Sequence, residues 1–456
     1  MDTVAGFPCF EVQFTREGQP FDRAETDAFL AGLGGAGATD LLVMSHGWNN
    51  DIEEARQLYR GWLQNLRAHL DAGTVPGVAD RRFVALAVFW PSKKFTDREL
   101  IAGGAASVDD AGQAELVARL QSLKGFFDHP EADARLDAAV ALVPRLENSE
   151  PARDEFGRLL ASLAPPPADG PESEDVDGRD RLAGWTGDEL VRELAAPPAP
   201  TVGGGDGMEG GAAGMDDPGG AGGLDDAGGA DGGAAGLGSL FGGVVDGARN
   251  LANLVTYYQM KNRAGLVGAG GVAPLLDTVR ERFPAIRIHL VGHSFGGRLV
   301  TAAAAGMKAS DPAPVASMTL LQAAFSHYGF ADNYHQTGKP GFFRGVVTGR
   351  KVAGPVVISH TRRDSAVGLA YALASRLAGQ QAAALGDEND MFGGIGSNGA
   401  QDTPERVAGT LLPPGTAYAF QPGRLHNLKG DAFISGHSDV ANPATTWAVL
   451  SAIAAT

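Results

Sequence analysis

Ser294, Asp364 and His437, in that chain order, are the residues whose types could do nucleophilic chemistry. A serine hydroxyl attacks poorly at neutral pH, so an imidazole must take its proton and later return it to a leaving group. A buried carboxylate fixes the imidazole tautomer and stabilises the imidazolium that forms. Ser294 stands at the centre of Gly292-His293-Ser294-Phe295-Gly296. A serine presented on a sharp strand-to-helix turn takes a strained backbone, and the residues two before and two after it must lack a β-carbon; Gly292 and Gly296 meet that need. The oxyanion needs two backbone N–H donors. One is expected from Phe295, at a helix N-terminus whose dipole favours negative charge. The other is expected from a loop after an early strand, where Ser45-His46-Gly47-Trp48-Asn49-Asn50 lies.

These residues need a scaffold, and the flanking pattern supplies one. Ile286 to Val291 reads as a strand entering the serine turn, and Gly297 to Ala302 as a helix leaving it. Phe10 to Thr15 alternates like a strand, while Asp40 to His46 and Phe83 to Trp90 are short apolar runs of the buried parallel type. Ala316 to Leu321 and Pro355 to His360 are further strands. Asp364 is the first acid past the end of the second of these, and helical Leu369 to Leu377 follows. A last strand falls between Ala417 and Phe433, ahead of His437, with a closing helix near Thr446 to Ile453. The predicted class is α/β, with a mostly parallel central sheet flanked by helices.

Each assignment has rivals. His426 and His360 compete with His437, and Asp332 competes with Asp364. His46 reads as a residue that shapes its loop, and His293 as packing or substrate contact. Arg362 and Arg363 read as solvated surface charge, and Asp439 as a support for the histidine loop or a cap of the turn after it. Cys9 is the single cysteine, which excludes an internal disulfide and fits a reducing compartment. It reads as a small apolar filler. No zinc, nucleotide or phosphate-loop motif occurs, so no cofactor and no metal are expected.

Between the Phe83 run and the Ile286 strand lie nearly 200 residues, far more than one crossover needs. Residues 92–200 read as a helical insertion, with Leu116, Leu120, Leu123 and Phe127 at helical spacing, broken by Pro130, Pro144 and Pro165 to Pro167. Residues 201–246 hold 19 glycines and 8 acidic residues with no lysine or arginine, the composition of a flexible acidic linker. The first part of the core then spans 1–91 and the second 247–456, with Tyr257 to Arg282 a helix broken at Gly268 to Gly271. A formal charge of −17 argues against nucleic-acid binding. The lack of a basic, apolar leader and of any long apolar run predicts a cytoplasmic protein with no membrane span.

On these residues the chain resembles the α/β-hydrolase-fold serine hydrolases of the lipase and esterase kind, over roughly residues 10–91 and 250–456. The order Ser294, Asp364, His437 is theirs. His46-Gly47-x at the end of an early strand resembles the family's oxyanion-loop signature, which implies that Trp48 supplies the second N–H. Gly436-His437-Ser438-Asp439 is similar to the histidine loop of some bacterial lipase-like members. The resemblance implies hydrolysis of carboxylic esters through an acyl-enzyme on Ser294. Lipid esters are suggested by the aromatic residues Trp48, Phe295, Phe325, Tyr328, Phe330, Phe342 and Phe343. The same triad also serves amides, peptides and thioesters. A reading of another class is a non-catalytic scaffold that binds a protein partner through the insertion. One departure is plain: the family's lid usually follows the sixth strand, whereas this insertion precedes the nucleophile strand.

Overall fold

The computed structural model describes residues 2–48, 50–92, 110–165, 182, 184–195, 243–310, 313–334, 337–364 and 393–456. Nine strands form one sheet: β1 Asp2–Val4, β2 Phe7–Gln13, β3 Asp40–Ser45, β4 Phe83–Phe89, β5 Arg287–His293, β6 Ser317–Leu321, β7 Val356–His360, β8 Arg406–Thr410 and β9 Leu425–Lys429. Their order across the sheet is β1-β2-β4-β3-β5-β6-β7-β9-β8. Only β1 pairs antiparallel, with β2; every other pairing is parallel. The central strand β3 is buried along its whole length, as a strand covered on both faces must be. In register, Asp40 of β3 faces Arg287 of β5, and Ser45 faces Gly292.

The helices are α1 Arg23–Gly35, α2 Ile52–Asp71, α3 Asp110–Ser122, α4 Ala132–Leu142, α5 Glu150–Ala161, α6 Gly187–Ala195, α7 Val244–Leu266, α8 Ala273–Arg282, α9 Phe295–Gly306, α10 Arg344–Thr348, α11 Ile395–Asn398 and α12 Pro443–Ala454. Alternate side chains of the strands feed two cores. Leu41, Val43, Leu86, Ile288 and Leu290 face the layer made by α1, α7, α8 and α9. Leu42, Met44, Ala85, Ala87 and Val291 face α2 and α12. Helix α2 is set by an Asp51–Glu54 capping box and by apolar positions at Ala55, Tyr59, Trp62, Leu63 and Leu66.

The chain between β4 and β5 carries α3 to α6. Leu116, Leu120, Leu123, Phe156 and Leu190 are fully buried and continue the core on the α7 side of the sheet. Helix α7 starts at Val244, so Val244, Val245 and Asp246, read from sequence as linker, are its first turn. The correction has a local cause: the Asp246 carboxylate accepts the Gly243 N–H at 3.3 Å and pairs with Arg249 at 2.7 Å. The break expected at Gly268 to Gly271 is a π-helical turn, Val267–Val272, which joins α7 to α8. Most of the acidic segment and the helix expected over Leu369 to Leu377 lie outside the described residues.

At the amino ends of the strands a charged group is sealed in. Asp40 is fully buried and accepts from His289 Nε2 at 2.9 Å, Arg81 at 3.1 Å and Arg287 at 3.1 Å. His289 Nδ1 meets Ser317 Oγ at 2.7 Å. Burial opposes ionisation of Asp40, but its His289, Thr39 and Arg81 partners outweigh it and hold the carboxyl down to about 2. Desolvation lowers His289 and keeps its ring neutral.

Candidate functional site

Strand order reverses at β3: the chain moves to β4 on one side, then returns to β5 on the other. The loops that leave the carboxyl ends of β3 and β5 therefore diverge, and such a switch point opens a crevice for ligands in α/β sheets. The loop after β3 holds His46, Gly47 and Trp48, and the turn after β5 holds Ser294.

Ser294 has φ 55° and ψ −126°, a conformation that costs about 1–3 kcal/mol for a residue with a β-carbon. It is held there from both sides. Its N–H donates to Leu321 O at 3.1 Å, and its carbonyl accepts from Ala324 N at 3.0 Å and Gly297 N at 2.9 Å. A β-carbon on Gly292 would stand 2.3 Å from Gly296 O, and one on Gly296 would stand 2.3 Å from Ser45 O. The two glycines thus permit the turn and its close approach to β3. Gly47 is equally constrained, since a β-carbon there would come within 2.7 Å of Ser294 Cβ.

Asp364 follows β7 in a turn, its N–H bonded to Thr361 O at 3.1 Å, and its side chain is fully buried. His437 Nδ1 lies 2.9 and 3.0 Å from the two Asp364 carboxylate oxygens. Nδ1 therefore carries the proton and Nε2 is the acceptor, the tautomer a general base requires. His293 ties this pair to the serine turn. Its Nε2–H donates to His437 O at 2.9 Å, and its ring packs on that of His437 at 4.7 Å between centroids. Desolvation, then the nearby His437, push His293 far below the ordinary imidazole range, so it stays neutral and keeps donating. Sequence alone assigns His293 only packing or substrate contact; nothing in the motif signals a bond to a residue 144 positions away. Asp439 accepts from Ser435 N and Oγ, both at 2.9 Å, and so braces the loop that carries His437.

The loop after β3 is clamped from below. His46 N–H donates to Tyr59 Oη at 2.8 Å, and the Tyr59 hydroxyl donates to Val88 O at 2.5 Å. The His46 ring stacks on Trp90 at 5.5 Å, donates from Nδ1 to Gly47 O at 2.9 Å and is lowered to about 4 by burial. It is a neutral structural wedge. Trp48 packs on Phe295, with ring centroids 6.1 Å apart. Phe295 is the first residue of α9, where a backbone N–H has no partner within the helix.

The rival residues make other contacts. Asp332 has a side chain 64% exposed and sits by Arg344. His426 accepts the Gln421 N–H at 3.0 Å beside Phe420, and His360 is lowered to about 4 by burial. Arg362 and Arg363 are exposed. Cys9 is buried in β2, its thiol pushed up to about 12 by desolvation. Of the aromatic residues proposed from sequence to border the site, Phe325, Phe330 and Phe343 pack on one another inside the core. Phe325 and Phe343 also line a small pocket with Tyr328 and Phe342.

The family model for the alpha/beta hydrolase fold matches residues 269–354, which include Ser294 but neither Asp364 nor His437. No curated protein and no solved structure matches the chain. No helix of the described residues is long and apolar enough to cross a membrane. The matched segment and the mostly parallel, helix-flanked sheet together give the chain the α/β-hydrolase fold, a fold whose members are mostly hydrolases.

Proposed function

We propose that the protein is a serine hydrolase that cleaves carboxylic esters through an acyl-enzyme on Ser294. The observation that carries this reading is the strained Ser294 turn bonded, through His293, to a histidine already oriented by a buried aspartate. In the first half-reaction Ser294 Oγ bonds to the ester carbonyl carbon while His437 Nε2 takes the hydroxyl proton. Asp364 stabilises the resulting imidazolium. The negative carbonyl oxygen is held by the N–H groups of Phe295 and Trp48. As the C–O bond to the alcohol breaks, His437 returns the proton to the leaving oxygen. Water then attacks the acyl-enzyme by the same route, with His437 again taking and returning a proton, and releases the acid.

Fluorophosphonate labelling and hydrolysis of p-nitrophenyl esters from acetate to palmitate test this on the wild type and Ser294→Ala. Labelling and ester turnover are expected in the first and neither in the second. A folded wild type that does neither overturns the reading, and amide cleavage without ester turnover replaces it with a peptidase.

A further inference from the structure

A cavity of about 430 Å³ opens at the end of the sheet opposite to Ser294. Its walls are the starts of β2 and β4, the C-terminal end of α2 and the segment that joins α2 to β4. Three arginines, Arg67, Arg81 and Arg82, line it together with His69, and no Asp or Glu does. In a chain of net charge −17 this is a local reversal of sign.

Each arginine spends its Nε on a nearby backbone carbonyl: Arg67 on Ala5 O at 3.2 Å, Arg81 on Gly77 O at 3.1 Å and Arg82 on Gly37 O at 2.5 Å. That bond fixes the guanidinium plane and leaves the terminal nitrogens to point elsewhere. Arg81 uses its own on Asp40 and Ile453 O. Arg67 lies over the Phe7 ring at 4.3 Å to the centroid and has a 3.5 Å contact to Asp71, a residue 67% exposed, while among the described residues no carboxylate pairs with Arg82. The lining also has an apolar part: Phe7 and Phe83 meet edge to face at 6.2 Å, and Val75 and Val78 line the same cavity.

We infer that this cavity binds an amphipathic organic anion, with a carboxylate or phosphate head between Arg67 and Arg82 and a hydrocarbon body on the Phe7 and Phe83 wall. Guanidinium forks match such heads bidentately, and a pocket that joins an apolar lining to a few convergent polar groups is the usual form of a small-molecule site. The inference does not depend on the role of Ser294, because the two sites lie at opposite ends of the strands.

Titration calorimetry of the full-length protein with octanoate, octyl phosphate, octylammonium, octanol and inorganic phosphate tests it. At least one octyl anion should bind, about tenfold or more tighter than octanol, octylammonium or inorganic phosphate. Which octyl anion binds better identifies the head. Arg82→Gln and Arg67→Gln should each weaken that binding by about tenfold, with thermal unfolding showing both variants folded. If one variant unfolds, the other carries the test, and Arg82→Lys should retain part of the affinity. Equal binding of octylammonium or octanol, or of inorganic phosphate alone, overturns the inference. So does octyl-anion binding that neither folded variant changes, which would place the ligand elsewhere.

Discussion

Among the described residues, two Ser, His and Asp constellations lie at opposite ends of one sheet. At the carboxyl ends, His437 holds Asp364 on Nδ1, and its loop is bonded to the turn that carries Ser294. At the amino ends, His289 holds Asp40 on Nε2 and Ser317 on Nδ1, every contact within 2.9 Å. The residue types are identical, and the surroundings differ. Ser317 lies in a regular strand, sealed by β5 and β7, with Arg81 and Arg287 on the aspartate. Ser294 sits in a strained turn beside a helix N-terminus and a loop that comes close over it. Residue types define what chemistry is conceivable, and backbone conformation and access decide between catalysis and structure.

Matched substitutions test the contrast. Ser294→Ala should lower kcat for p-nitrophenyl acetate by about 10⁵–10⁶-fold, with thermal stability kept. Ser317→Ala should leave turnover as it is and cost only about 1 kcal/mol in urea unfolding. Were the two to lose activity equally, the contrast would collapse.

The aspartates separate next. Asp364→Asn should cut kcat about 10⁴-fold by favouring the wrong His437 tautomer. Asp40→Asn should spare turnover but destabilise by about 3–5 kcal/mol, because Arg81 and Arg287 lose their buried partner. An unfolding free energy unchanged in Asp40→Asn would refute the structural role.

Acid should act on the structural groups first. His46 is held at about 4 in the folded chain against an ordinary value of 6.5. The unfolded chain thus binds its proton at a higher pH than the folded one does, and stability falls as pH drops from about 6.5 to about 4. At about 1.4 kcal/mol per pH unit the loss from His46 is roughly 3 kcal/mol. His289 shifts in the same direction. The Asp40 contribution disappears later, between about 4 and 2. Urea midpoints measured from pH 7.5 to 4 should decline across that range, and a flat profile would contradict the neutral, buried histidines.

The smallest effect sharpens the role of His293. His293→Phe removes the donor to His437 O and should lower kcat about 100-fold with KM retained, since a small misplacement of the base has that cost. The limb of the pH–rate profile that reports His437 should move, and His293→Gln, which keeps an N–H donor, should recover part of the loss. A change in stability alone, with no kinetic effect, would leave His293 as packing.

Sequence made the central elements legible because they are buried on both faces and flanked by turn residues. Asp40–Ser45, Phe83–Phe89 and the Ser294 turn stand out as unbroken apolar runs or as a glycine-framed motif. The edges were not legible. β1 has three residues, and β8 exposes nearly all of Arg406–Thr410, so neither carries a hydrophobic alternation to detect. In the candidate site, the residues brought together by the fold announce themselves through local spacing, whereas the His293 bond to His437 O depends on tertiary contact alone. A signal for the second constellation did exist: Asp40 opens the apolar run Leu41 to Met44 and His289 lies between Ile288 and Leu290, and a buried polar group demands a partner. The aromatic residues were ambiguous because a phenylalanine that lines a pocket and one that fills a core read alike in sequence.

The pairing of β3 with β5 also sets a timing problem for a growing chain. Asp40 and Arg287 are neighbours in the sheet yet 247 residues apart in sequence. Synthesis at about 5–20 residues per second separates them by roughly ten to fifty seconds. Throughout that interval β3 can pair with β4 but offers its other edge, lined by Leu41, Leu42, Val43 and Met44, to any strand it meets. An apolar edge is a template for association between chains. The yield of folded protein should therefore depend on what shields β3 during translation, and a slow stretch or a chaperone would act there before the serine turn has been made.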